Sequence, residues 1–160
     1  MQNGRSLLEC LLVLVVMTSA ISLALPLIKE WKQHNDLLIS TNLLRQDINY
    51  ARYQAVVLQK KVSIRPISVN CWSCGWRVFP TDTPDQTFVE RSVNPRIKIN
   101  SNRPWRNGAE FRANGTAVQS GGAFAAGTIT LCTPGSTQQS RIIISRSGRP
   151  RVSRDVKSCL

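Results

Sequence analysis

A single histidine, His34, serves the whole chain of 160 residues. No serine or cysteine nucleophile is placed to pair with it, so a hydrolytic triad is excluded. There is no Gly-x-x-x-x-Gly-Lys loop and no Gly-x-Gly-x-x-Gly turn, which removes nucleotide and dinucleotide chemistry. Aromatic residues make up only 6% of the chain, and none is spaced like an RNA-binding strand signature. Trp72, Trp76 and Trp105 are therefore expected to anchor a core. Cys71-Trp72-Ser73-Cys74 has no second Cys-x-x-Cys and no βαβ pattern around it, so neither zinc binding nor thiol redox catalysis is expected. No enzyme, cofactor or metal is expected.

Carboxylates are also scarce, and unevenly so. Residues 1–90 hold nine basic and seven acidic side chains, a balance of +2, while residues 91–160 hold twelve and two, a balance of +10. Together these give the net charge of +12, with fifteen arginines against six lysines. A half so poor in acid points to a polyanionic partner, nucleic acid or an anionic surface.

Glycine is missing between Arg5 and Gln59, where Pro26 is the only helix breaker. Within this stretch Cys10 to Ile28 is a run of nineteen uncharged residues with Glu9 at its rim. Nineteen apolar residues can cross a bilayer, and the run is too long for an ordinary secretory signal. A carboxylate at its edge is costly in hydrocarbon and has no use in a simple anchor. Arg5 on one side and Lys29 and Lys32 on the other leave the orientation open. From Lys29 to about Gln59, Leu37, Leu44, Ile48, Ala51, Ala55 and Leu58 form one stripe at helical spacing. Lys32, Gln33, Asp36, Asn42, Arg45, Gln46, Asp47 and Asn49 mostly take the other faces. One helix on the order of 80 Å long at 1.5 Å per residue is predicted, kinked near Pro26.

Short alternating segments separated by Pro, Gly and Asp turns predict strands to cover that stripe. They are Lys61–Val69, Trp76–Phe79, Thr87–Val93, Arg96–Asn100, Ala109–Ala113, Thr116–Val118, Thr128–Cys132, Arg141–Ser145 and Arg149–Ser153. Pro66 marks the first as an edge or a bend. Asn114-Gly115 and Ser147-Gly148 read as hairpin turns. The fold class is α+β, a long helix packed on an antiparallel sheet.

The last strand is the chemical focus. Arg141, Arg146, Arg149, Arg151, Arg154 and Lys157 place six cations in seventeen residues, opposed only by Asp155. Gly148 permits the positive φ of a tight turn. Arg149 and Arg151 are two apart and leave one face of a strand, about 6.6 Å apart at their bases. Planar guanidinium forks suit phosphate oxygens. Pro150 marks the strand as an edge.

The amino terminus resembles the class III signal of type IV prepilins and pseudopilins. The resemblance implies cleavage by a prepilin peptidase between Gly4 and Arg5, methylation of Arg5, and docking of Glu9 into a filament. Ser145-Arg146-Ser147-Gly148-Arg149-Pro150-Arg151-Val152 resembles the carboxyl-terminal signature of the GspH/FimT family. Trp76-Arg77-Val78-Phe79 and Phe111-Arg112-Ala113-Asn114-Gly115 resemble its inner motifs. The implied organisation is a leader at 1–4, a transmembrane and filament-core helix at 5–28, its amphipathic continuation at 29–59, and a periplasmic sheet domain at 60–160. The amino terminus would lie in the cytoplasm, the protein would cross the inner membrane once, and it would then join a pilus at the cell surface.

FimT-type minor pilins bind double-stranded DNA for uptake in natural transformation through a Gly-Arg-x-Arg motif. That role carries over to Gly148, Arg149 and Arg151, and charge alone adds Arg146, Arg154 and Lys98. Partners would be DNA and other major and minor pilins. The rival reading is an assembly-priming minor pilin, or a type II secretion pseudopilin, without DNA. In an oxidising compartment Cys71, Cys74, Cys132 and Cys159 favour disulfides. Four cysteines allow three pairings. Cys132 with Cys159 and Cys71 with Cys74 are favoured, the former tying the carboxyl terminus to a core strand.

Overall fold

The computed structural model describes residues 7–159, and of residues 20–27 the backbone alone. Helix α1, Leu7–Leu58, runs unbroken through Pro26. The chain forms two compact units, Met1–Asn35 and Asp36–Leu160.

In the first unit Leu7, Leu8, Leu11, Leu12, Leu14 and Val15 are exposed, as are Glu9 and Cys10. The expected cleavage site at Gly4 and Arg5 lies outside the described residues. Among the described residues, no helix is long and apolar enough to cross a membrane. The expected span at 5–28 lies partly outside the described residues, which leave out residues 5 and 6 and the side chains of residues 20–27.

In the second unit, helix and sheets share one core. Leu37, Leu44, Ile48, Ala51 and Ala55 are buried on the helix, as their spacing predicts. Leu58 departs from the stripe and is 42% exposed, because the helix ends there. Asp47 also departs, being buried rather than solvated. Lying three residues after Leu44 and four before Ala51, it points into the stripe, where it accepts a hydrogen bond from Trp76 Nε1 at 2.8 Å and pairs with Arg91 Nε at 3.3 Å.

Among the described residues, nine strands form two antiparallel sheets. The first contains β1 (Val62–Ser68), β2 (Cys71–Pro80), β3 (Val89–Arg91), β5 (Ala109–Phe111) and β6 (Ala117–Val118), in the order β3-β2-β1-β5-β6. The second contains β4 (Lys98–Ser101), β7 (Gly127–Cys132), β8 (Gln138–Ile144) and β9 (Pro150–Val156), in the order β4-β7-β8-β9.

β1 is therefore interior, not an edge. Pro66 is tolerated because β5 pairs only with Val62, Ser63 and Ile64, so no ladder bond is lost there, and the β1–β2 register shifts between Pro66 and Ser68. β2 starts five residues earlier than expected, so Cys71 and Cys74 lie within a strand and not in a loop before it. Ile99 N–H donates to Ser73 Oγ at 2.7 Å, which joins this end of β2 to β4 in the other sheet.

Trp72, Trp76 and Trp105 are all buried. Trp72 Nε1 donates to the Trp105 carbonyl at 2.8 Å, and Trp105 Nε1 donates to that of Ala125. Disulfides join Cys71 to Cys74 and Cys132 to Cys159, the expected pairing.

Candidate functional site

The β8–β9 hairpin turns through Ser145–Arg149. Gly148 N–H donates to the Ser145 carbonyl at 2.9 Å, and Ser145 N–H donates to the Arg149 carbonyl at 3.1 Å. Arg149 N–H donates to Ser145 Oγ at 3.2 Å, and the Ser145 and Ser147 hydroxyls share a bond at 2.9 Å. The serines thus cap the turn's own backbone.

Gly148 has φ +75° and is buried. A Cβ at that position would meet the Gly115 carbonyl oxygen at 2.5 Å and Phe111 Cε1 at 2.9 Å. Gly148 is therefore needed for its backbone angle and also for lack of space. Gly115 lies in the β5–β6 turn, where its N–H donates to the Arg112 carbonyl at 2.8 Å. Its carbonyl accepts from Arg52 Nε of the helix at 3.1 Å. Two hairpin turns distant in sequence thus meet glycine to glycine, with the helix holding one of them.

This contact gathers cations that sequence spacing does not. Arg112 Nη2 reaches the Gly122 carbonyl at 3.5 Å, and the Arg146 guanidinium lies 6.0 Å from the ring centre of exposed Phe124. The two arginines therefore flank one loop, 121–126. Arg149 and Arg151 are exposed, the first just before β9 and the second within it. β9 is an edge strand, as Pro150 predicts. Among the described residues, Arg146, Arg149, Arg151, Arg154 and Lys157 have no ion-pair partner, whereas Arg141 Nε meets Asp155 Oδ2 at 2.5 Å. The one acid in this segment is thus already neutralised.

Two residues of the expected set fall elsewhere. Arg154 pairs with Ser140, and Arg151 with Ile143, so they leave opposite faces of the sheet. Lys98 lies on β4, at the far edge, in register with Cys132, Gln139 and Asp155. Three strand intervals of ~4.8 Å and four residues of ~3.3 Å put it about 19 Å from Arg151. β7 and β8 intervene, so Lys98 is not part of the turn cluster. Arg52 and Arg112 are the residues that spacing misses. The Asn114-Gly115 turn is legible, but no pattern in the chain says which other turn it meets.

The family model for type II transport protein GspH matches residues 40–148. Two crystal structures of the type IV minor pilin FimU from Pseudomonas aeruginosa share the fold. One is 21% identical, with a TM-score of 0.61, covering 73% of this chain and 92% of that one. The other is 20% identical, with a TM-score of 0.64, covering 77% and 92%. Among curated proteins, none matches.

Proposed function

The chain belongs to the family of type II transport protein GspH, and on that premise we propose that it is a minor type IV pilin that binds DNA without regard to sequence. The observation that carries this reading is the joined pair of hairpin turns, where exposed Arg112 and Arg146 flank one loop and exposed Arg149 and Arg151 follow Arg146 along its turn and strand, with no carboxylate paired to any of the four among the described residues. Arginine forks at an open sheet edge suit phosphodiester oxygens, and contacts to phosphate fix position without reading bases. The role envisaged is capture of DNA during uptake in natural transformation.

In this reading the prepilin peptidase cuts between Gly4 and Arg5. Residues 5–28 sit in the inner membrane until Glu9 docks the subunit among other pilins, and the sheet domain faces the periplasm and then the cell surface. Exposure of the apolar side chains from Leu7 to Met17 supports the same view, since such a surface needs lipid or neighbouring helices around it.

A second reading is an assembly-priming pilin or pseudopilin without DNA, favoured by the type II transport description of the family. A gel shift separates the two. The full chain in mild detergent is expected to retard a double-stranded DNA fragment at low salt, and Arg149→Gln with Arg151→Gln to abolish most of the retardation. Equal retardation by the double variant rejects the hairpin as the site. No retardation by the native chain leaves the structural reading.

A further inference from the structure

The four-stranded sheet turns Ile99, Ile129, Leu131, Ile142 and Ile144 to the core. Strand alternation then sets a different group on its outer face. Lys98, Cys132, Gln139 and Asp155 form one row, Asn100, Thr130, Arg141 and Ser153 the next, and Thr128, Ile143 and Arg151 a third. A cavity of about 450 Å³ opens on this face, with Asn100, Thr130, Gln139, Arg141 and Lys157 among its lining residues.

One wall of that cavity is built by a covalent bond. Past the end of β9, the Cys132–Cys159 disulfide ties the carboxyl-terminal segment back onto β7, and Lys157 is thereby held at the cavity. Lys157 has no carboxylate partner among the described residues, and the only acid in the three rows, Asp155, is taken up by Arg141. The remaining charges on the face are the ammonium groups of Lys98 and Lys157 and the guanidinium of Arg151, which adjoins Arg149. The neutral lining is amide and hydroxyl, rich in hydrogen-bond donors. None of the three rows contains an aromatic ring, so stacking on bases has no platform there.

We propose that this groove holds a length of sugar–phosphate backbone, making the outer face of the sheet the second half of the surface that begins at the arginine turn. The inference rests on the DNA-binding reading above. Backbone enters at Arg149 and Arg151, crosses the cavity, and leaves past Lys157 and Lys98. The diagonal of about 19 Å corresponds to the axial length of five to six base-pair steps of duplex at ~3.4 Å of rise each. Ammonium and guanidinium groups take the phosphates, while Asn100, Thr130 and Gln139 donate to phosphate or sugar oxygens. Lys98 is absent from the turn cluster and present on this track. The disulfide acquires a binding role as well, because it fixes Lys157 in place.

The test is fluorescence anisotropy of the full chain in mild detergent with a labelled 30-base-pair duplex, run across a salt series. Lys98→Gln with Lys157→Gln is expected to weaken binding at least tenfold at low salt. It should also reduce the slope of log K against log salt by about 1.8, at ~0.9 per phosphate contact. Cys132→Ser with Cys159→Ser should lower the slope by about 0.9, the share of Lys157 alone. Arg45→Gln with Lys61→Gln removes the same net charge away from the face and should leave the slope unchanged.

If the lysine pair binds as the native chain does while Arg149→Gln with Arg151→Gln loses binding, the groove is rejected and the turn stands. If the control pair loses as much slope as the lysine pair, the effect is net charge and the groove is again rejected. If the native chain binds no duplex, both readings fall together.

Discussion

Single residues carry two of the sharpest demands of this structure. Gly148 combines a positive φ with contact against the Gly115 carbonyl, so Gly148→Ala should cost about 2–4 kcal/mol, of which ~1–2 is the backbone angle. Gly122 provides the comparison, since it has φ +84° but an added Cβ there would find only Arg112 Nη2, 3.9 Å away. Gly122→Ala should cost about 1 kcal/mol, the angle alone. Thermal unfolding of the two variants side by side decides it, and equal losses would show that the glycine–glycine contact contributes nothing. Asp47 is the second demand. Removing its carboxylate in Asp47→Ala leaves the Trp76 indole N–H buried without an acceptor and should cost about 3 kcal/mol. Asp47→Asn keeps an acceptor and should cost less than half as much in denaturant titration. The burial of Asp47 is legible from its spacing in the stripe, but its acidic character assigns it to the solvated faces. Arg77 shows the reverse case, a cation lying 4.8 Å from the Phe79 ring centre, as the two-residue spacing on a strand allows.

At the scale of elements, the chain is largely readable. The helix announces itself by the absence of glycine and by one stripe, of which only Leu58 fails at the fraying end. Every expected strand is present, and both hairpin turns lie where Asn114-Gly115 and Ser147-Gly148 put them. What cannot be read is the partition into two sheets. Local alternation fixes which way a side chain points but not which strand lies next to which. Of the two readings of Pro66 the edge fails for this reason, since a missing donor does not say that β5 stops short of it, while the register shift beside it agrees with the bend. The two disulfides are elements in their own right and should differ in weight. Cys132–Cys159 closes a span of 27 residues and Cys71–Cys74 a span of 3. Chain-entropy loss then gives about 3–4 kcal/mol for the first and about 2 for the second. Urea unfolding of the paired Cys→Ser variants should rank them in that order. The opposite ranking would mean that the Cys71–Cys74 bond braces the β2–β4 junction at Ser73 beyond its entropic share.

For the molecule as a whole, charge placement governs what can be measured. The balance of +10 in residues 91–160 is visible in the sequence, yet its concentration is not, because Arg112 and Arg52 reach the carboxyl-terminal turn only through the Gly115–Gly148 contact. On the DNA-binding reading, a surface made of arginine and lysine would attract duplex through counterion release, and contacts to phosphate carry no preference for one base over another. With two to four phosphates neutralised at the turn alone, log K should fall against log salt with a slope of about −2 to −4. Participation of the outer sheet face would steepen it further. Arg112→Gln should reduce that slope by about 0.9 with little change in unfolding temperature, since Arg112 is exposed and its side-chain bond to the Gly122 carbonyl is long at 3.5 Å. Two duplexes of equal length, one rich in A·T and one in G·C, should bind within about twofold of each other. A tenfold preference would require base contacts that this surface does not provide, and the site would then have to lie elsewhere on the domain. Affinity per subunit is expected to be weak, so duplexes long enough to touch several copies on one filament should bind far more tightly than short ones. Effective concentration alone raises avidity by ~10²–10⁴. Comparing 15- and 150-base-pair duplexes against the purified chain and against assembled filaments tests this directly. Length-independent affinity on filaments would mean that the subunits do not present their arginine turns to a common strand.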